Sequence, residues 1–400
     1  MMNIKKLLYL CVILFVGCSE EDNVLIERLD YDDTSSFMLE SYEADVINVD
    51  VNGKSFSIFD ELVFPDTSLF KPIFRIPSII ITNRETMLVA TENRSGISDN
   101  ADEMDILVSR KSLDAVKWSV RMVWPFSSSY GRSMNPIFVI DRNGKFSKEG
   151  RIYLFTCHIN ASGSDAADTK YDQVDMVYKY SDDDGMTWSK EYSIKSSWDT
   201  SKYTAVIPSC ANGIQLSDGT LIIPTMGIDN GHYRSGLAYC TPNGTWHFSS
   251  PTPNLDDNES TVYQDNDGNI VLDCRTVERI RRKYIYDMKN DSWIYVPGSF
   301  TSVIDLKAEI TKCDLNGKTI YLMTFCDTPN WTRQNITLYG SLDGNTWKKI
   351  CRVQEGECHF AYSNVSSYNN KIALVYETLY NGTRVQDVSI LLQEILALLN

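Results

Sequence analysis

Positive charge is in short supply in this chain: 38 Lys and Arg stand against 53 Asp and Glu, a formal net charge of −15. Such a protein has no field for nucleic acid. Anything anionic that it binds must be met by a local cluster of cations. Histidine is scarcer still, with four in 400 residues. They show no HxH or HExxH spacing, so neither a zinc site nor any other metal or cofactor is expected. Ten cysteines are present without a CxxC pair. Cys351 and Cys358 are close enough in sequence to be one candidate disulfide, and buried free thiols are the alternative. Helical periodicity is missing except over Ile390 to Leu399. The one sustained apolar run, Leu7 to Val16, is too short to span a bilayer.

What is there begins with a targeting signal over residues 1–17. Lys5 and Lys6 precede the apolar run, and Gly17-Cys18 ends it. The cysteine at the break resembles the lipobox of bacterial lipoproteins. Cys18 is then the expected lipidation site, and the chain meets a membrane only through that anchor. The expected address is the cell envelope, as an outer-membrane lipoprotein on the surface or periplasmic face, with plain secretion as the alternative. Residues 18–54 read as a polar, acidic tether and linker. Residues 55–393 read as one domain, and 394–400 as a tail.

Over 55–393, short β-rich runs such as Thr86-Met87-Leu88-Val89-Ala90 and Lys371-Ile372-Ala373-Leu374-Val375-Tyr376 alternate with Gly-containing turns. One turn recurs: Ser181 to Trp188, Ser341 to Trp347, and weaker copies at Ser112 to Trp118 and Cys240 to Trp246. Ser and Asp side chains bond the backbone of such a hairpin, Gly takes positive φ, and Trp packs beneath. Periodic hairpins with Gly and aromatics predict an all-β, six-bladed β-propeller of roughly 55 residues per blade. Asp182-Asp183-Asp184-Gly185 invites a calcium reading, but the EF-hand pattern requires an acid where Tyr180 stands.

Phe74-Arg75-Ile76-Pro77, the aspartate-rich turns and an ordered set of polar residues together resemble the bacterial exo-sialidases (neuraminidases). The resemblance covers about residues 60 to 390. It implies that Arg75, Arg275 and Arg333 grip a substrate carboxylate, since planar guanidinium groups bind a carboxylate through paired charge-assisted bonds. It implies Tyr362 as nucleophile, Glu259 as its general base, and Glu377 as the acid that orients Arg75. Arg94 is implied as a further substrate contact, and Asn212-Gly213-Ile214-Gln215-Leu216 fits a stretch common in the family. A neutral tyrosine suits a substrate whose reacting carbon carries a carboxylate, and tyrosine sialidases depart from the two-carboxylate scheme in this way. The proton donor follows Arg94. Ungapped counting lands on Asn100, so Asp99 is the expected acid and Asp102 the alternative. Asn135 stands where the family often has Asp before Pro, which points to altered contacts with the sugar hydroxyls. The implied function is retaining hydrolysis of terminal sialic acids from sialylated glycans by a monomer. The alternatives are a non-catalytic sialic-acid-binding propeller, an enzyme for another 2-keto acid sugar, or an intramolecular trans-sialidase.

Overall fold

The computed structural model describes residues 37–38, 44–64, 70–144, 147, 149–160, 173–229, 231–278, 280–297, 306–328, 333–358, 361–378 and 382–400. The signal segment, Cys18 and most of the tether lie outside the described residues. Six antiparallel sheets follow one another along the chain, as a six-bladed β-propeller. Blade I is Ile73–Ile81, Met87–Arg94, Met104–Lys111 and Ser119–Trp124, with Phe37–Met38 paired to the last of these. Blade II is Arg132–Asp141, Arg151–Ile159, Val174–Ser181 and Tyr192–Ser193. Blade III is Ala205–Pro208, Leu221–Asp229, His232–Cys240 and Trp246–Phe248, with Ile214–Gln215 beside its second strand. Blade IV is Asp257–Gln264, Ile270–Thr276, Arg281–Asp287 and Ser292–Val296. Blade V is Glu309–Leu315, Lys318–Cys326, Ile336–Ser341 and Lys348–Arg352.

Blade VI closes the ring with strands from both ends of the chain. Ser363–Tyr368, Lys371–Glu377 and Thr383–Asp387 are joined by Lys54–Leu62 and Asp45–Val51, with Arg384 paired to Leu62 and Gln386 to Asp60. Asp60 accepts hydrogen bonds from Tyr376 Oη at 2.8 Å and Arg384 Nε at 2.9 Å across this seam. The propeller therefore takes in residues 45–54, which the sequence places in the linker. Val49 and Val51 alternate with polar residues and are buried, the pattern of a half-buried strand. The last residues are not a tail either. Leu392–Leu399 is a helix whose Leu392, Ile395, Leu396 and Leu399 are buried in the same cluster as Leu338 and Ile350 of blade V.

The core is divided into wedges between neighbouring sheets. One cluster joins blades I and II through Leu88, Ile106, Phe138 and Leu154, and another joins II and III through Phe155, Met176, Val206 and Ile223. Each face of a blade is covered by a different neighbour, so inner strands read as near-continuous apolar runs. The recurring turns clamp the hairpins. Ser181 Oγ accepts the Gly185 N–H at 2.8 Å, Asp183 Oδ1 accepts the Thr187 N–H at 2.8 Å, and Trp188 is buried below. Ser341 and Asp343 repeat this with the Gly344 N–H at 2.9 Å and the Thr346 N–H at 2.6 Å. The three acids of the Asp182–Asp184 run face separate donors. Asp182 pairs with Arg151 at 2.7 Å, whereas Asp184 crosses to blade I and accepts Thr82 Oγ1 at 2.5 Å and Thr86 Oγ1 at 2.6 Å.

Asn212 ties several inner strands together at the axis. Its Oδ1 accepts Ser78 Oγ at 2.6 Å and the Phe138 N–H at 3.0 Å, and its Nδ2 donates to Ile79 O at 2.6 Å and Asn364 Oδ1 at 3.1 Å. Its own N–H donates to Glu309 Oε1 at 3.2 Å. Blades I, II, V and VI thus meet on one residue, which holds the inner strands in fixed register below the mouth of the propeller.

Candidate active site at the propeller mouth

Antiparallel pairing sets the start of each inner strand beside the end of the second strand: Arg75 opposite Glu92, Asp257 opposite Thr276, Ser363 opposite Tyr376. Residues at those positions therefore gather on one face of the ring, though they are scattered along the chain. Bulges then turn their side chains toward the axis. Pairing slips between Arg75 and Ser78, between Met134 and Ile137, and between Asp257 and Ser260. Ile76, Asn135, Cys210 and Ala361 take φ between 54° and 59°. A left-handed β-branched residue such as Ile76 is strained, and such strain clusters where a site requires a re-aimed side chain.

At the centre, Tyr362 Oη donates to Glu259 Oε1. Arg275 Nη1 donates to the other oxygen, Glu259 Oε2, at 2.6 Å and reaches Tyr362 Oη at 3.3 Å. Burial pushes the Tyr362 phenol well above its ordinary range, and the Glu259 charge adds to this, while Arg275 and Arg75 pull the other way. The phenol is therefore neutral at physiological pH, with an acceptor for its proton in contact and a cation 3.3 Å from its oxygen.

Arg75 is buried and donates from Nε to Glu377 Oε1 at 2.9 Å. Burial works against the guanidinium charge, and the Glu377 carboxylate overrides it, so Arg75 stays firmly protonated. Glu377 also accepts the Ile76 N–H at 2.8 Å and, on Oε2, the Tyr362 N–H at 3.0 Å. One buried carboxylate thus orients the first arginine and the backbone of the tyrosine together. Arg75 and Arg333 lie 5.3 Å and 5.9 Å from the Tyr362 ring centroid. Arg75, Arg275 and Arg333 therefore converge on one tyrosine.

Asp99 reaches into this cluster from the loop between the second and third strands of blade I. Its Oδ1 accepts Arg94 Nη1 at 2.7 Å and lies 3.7 Å from Arg75 Nη1. Desolvation alone would lift its carboxyl, but Arg94, then Arg75 and Arg333, hold it below the usual carboxylate range. Its side chain is 69% exposed, so solvent screens part of that attraction. Asp102 is exposed and bonds no arginine among the described residues, and Asn100 Oδ1 accepts Arg132 Nη2 at 3.4 Å. Asn135 is buried, with its N–H on Glu92 Oε1 at 2.6 Å and its side-chain Nδ2 on Pro208 O at 2.9 Å.

Four residues here escaped the sequence reading. Glu92, fully buried, accepts Arg94 Nε at 2.5 Å as well as the Asn135 N–H, and so does for Arg94 what Glu377 does for Arg75. Its signal was present, since Glu92 and Arg94 are two apart on a strand and share a face. Cys210 packs with Ile76 and Tyr362, its thiol 3.8 Å from Glu259 Oε1. Lys307 and Glu309 form a buried pair at 3.2 Å below the site, where Lys307 Nζ donates to Ser363 O at 2.7 Å. No cluster of three potential metal ligands occurs among the described residues.

Fold and site define a six-bladed propeller with an arginine-lined mouth. Residues 85–374 match the model of the BNR repeat-like domain, and the chain belongs to that family. It is 27% identical over 341 residues to a sialidase of Clostridium perfringens, covering 76% of this chain and 86% of that one. Among solved structures it is similar in fold to the Hadza microbial sialidase Hz136, with TM-score 0.72, 21% identity, and coverage of 84% of this chain and 70% of that one. It is also similar to the sialidase of Trypanosoma rangeli solved with 2,3-difluorosialic acid as a covalent intermediate, at TM-score 0.70 and 17% identity. That match covers 91% of this chain and 59% of the trypanosomal one.

Proposed function

We propose that the protein is a retaining exo-α-sialidase that releases terminal sialic acid from sialylated glycans. The observation that carries this is the Tyr362–Glu259–Arg275 contact set inside a ring of arginines. Arg75, Arg275 and Arg333 take the substrate carboxylate. Tyr362 Oη attacks the anomeric carbon while Glu259 accepts its proton. Arg275 sits against both partners and favours the phenolate that develops. Asp99 gives its proton to the leaving oxygen, and the sugar stays covalently on Tyr362. Water, deprotonated by Asp99, then displaces the tyrosine, which regains its proton from Glu259. Two displacements return the original configuration.

Asp99 also answers how a carboxylate held below its usual range can act as an acid. In the ligand-free protein it occupies part of the arginine cluster that the substrate carboxylate needs. The arriving anion neutralises that cluster and adds a like charge nearby, and both changes raise the Asp99 pKa. Substrate binding thus creates the acid. The amino-terminal signal and Cys18 support, in this reading, a lipid anchor at the cell envelope.

The test is hydrolysis of an aryl sialoside and of sialyl-lactose by the wild-type chain and by Tyr362→Phe. The enzyme cleaves both substrates, and the variant loses turnover while still binding sialic acid. Cleavage of neither by the wild type refutes the reading.

A further inference from the structure

The inner strands run from the mouth toward the opposite face, and a cavity of about 360 Å³ lies on the axis at that far end. Every blade lines it: Ile80 of blade I, Arg142 of II, Ser217 of III, Gln264 of IV, Lys312 of V and Ser366 of VI. Ile80 and Gln264 stand at or beside the ends of their strands and Arg142 just past the end of its own, whereas Arg75 and Glu259 stand near strand starts. Glu309 opens its strand, so Glu309 and Asn212 mark the end of the cavity nearer the mouth. Asn143 and Ser217 line it as well and are exposed, so they mark its outer rim. The volume falls at the small end of ligand pockets, roughly 300–1,000 Å³, which suits one small molecule.

The charged side chains lining the cavity are Arg142, Lys312 and Glu309. Glu309 has its counter-charge in Lys307, at 3.2 Å. The two cations are held by neutral groups instead. Arg142 Nη1 donates to Asn83 Oδ1 at 2.9 Å and Nη2 to Ile81 O at 2.8 Å, and its guanidinium lies 4.5 Å from the Tyr368 ring centroid. Lys312 Nζ donates to Asp265 O at 3.0 Å. No carboxylate pairs with either cation among the described residues, and both have N–H groups left over. In a chain of net charge −15, two such cations on one cavity make a local positive site.

We propose that this axial cavity binds a small hydroxylated organic anion of monosaccharide size, a sugar acid or a sugar phosphate by class. Its anionic group takes the remaining N–H groups of Arg142 and Lys312 through charge-assisted hydrogen bonds. Its hydroxyls meet Asn143 and Ser217 at the rim. The Tyr368 ring and the two acceptors on Arg142 hold the guanidinium in one place before the anion arrives, which lowers the ordering cost of binding. The cavity shares no lining residue with Tyr362, Glu259 or the three arginines of the mouth, so the proposal does not rest on the sialidase reading.

The experiment is calorimetric titration of the full chain with D-glucuronate and with glucose 6-phosphate, beside glucose as the neutral sugar and inorganic phosphate as the bare anion. The expected result is saturable binding of one equivalent of a sugar anion and none of glucose, and the anion that binds tells a carboxylate site from a phosphate site. Arg142→Gln and Lys312→Gln should each weaken that binding about 10–100-fold, the loss of one hydrogen bond to a charged group, while Arg275→Ala at the mouth leaves it unchanged. Should Arg142→Gln fail to fold, Lys312→Gln reads the same contact from the other side of the anion. Four results overturn the proposal: neither sugar anion binds, glucose or inorganic phosphate binds as well as they do, both cavity variants bind like wild type, or binding disappears in Arg275→Ala.

Discussion

Glu377→Gln separates the charge of this side chain from its shape. Glu377 is buried and holds three donors: Arg75 Nε at 2.9 Å, the Ile76 N–H at 2.8 Å and the Tyr362 N–H at 3.0 Å. An amide of the same size keeps one acceptor oxygen and turns an NH2 toward one of these donors. Arg75 is then a buried cation without its main counter-charge. Breaking a buried pair from one side costs about 3–5 kcal/mol. A chain of 400 residues unfolds with an entropy of about 0.8 kcal/mol/K near its midpoint. The substitution should therefore lower Tm by about 4–6 °C. Function should suffer as well, because the lost acceptor frees either Arg75, which raises KM, or the Tyr362 backbone, which lowers kcat. Differential scanning calorimetry and sialoside kinetics on the same preparation read both effects. A variant within 1 °C of wild type, with unchanged KM and kcat, refutes the claim that one carboxylate sets both groups.

Asp99→Asn should slow cleavage of sialyl-lactose by about 10²–10⁴-fold, the usual range for a lost proton donor, and slow an aryl sialoside far less, while Asp102→Asn leaves both rates unchanged. If Asp99 is the acid, it must be protonated in the substrate complex, whereas in the ligand-free protein Arg94, Arg75 and Arg333 hold its carboxyl below the usual range. The alkaline limb of kcat should therefore lie at higher pH than that of kcat/KM, and coincident limbs contradict this. Glu309, buried beneath the site, is pushed up by burial to about 7 from 4.5 in spite of Lys307. A raised acid favours the fold fully below the unfolded value and loses that contribution as pH climbs to about 7, a change of about 3 kcal/mol. Denaturation of Glu309→Gln between pH 4.5 and 7 should lack this slope, and a variant that keeps it contradicts the assignment.

Much of the fold was legible because each blade repeats local signals. The Ser181 and Ser341 turns announce hairpins through their own side-chain bonds, and such bonds depend on neighbours within a few residues. The closure of blade VI was not legible. Lys54–Leu62 finds its partner at Thr383–Asp387, more than three hundred residues away, and nothing local in either strand names the other. The site divides the same way. Tyr362 and Glu259 are 103 residues apart and could be joined only through a resemblance. Glu92 was readable from its spacing to Arg94 and was passed over because a glutamate in a strand is normally solvated. The thiol of Cys210 beside Glu259 had no sequence signal, since its place depends on a left-handed backbone turn.

Tyr362 as the nucleophile implies a covalent glycosyl-enzyme that can be trapped. The direct measurement is incubation of the wild type and Tyr362→Phe with 2,3-difluorosialic acid, followed by intact-mass and peptide mapping. One fluorosialyl group is expected on the Tyr362 peptide of the wild type and none on the variant. A label on Glu259 or Asp99, or equal labelling of the variant, contradicts it.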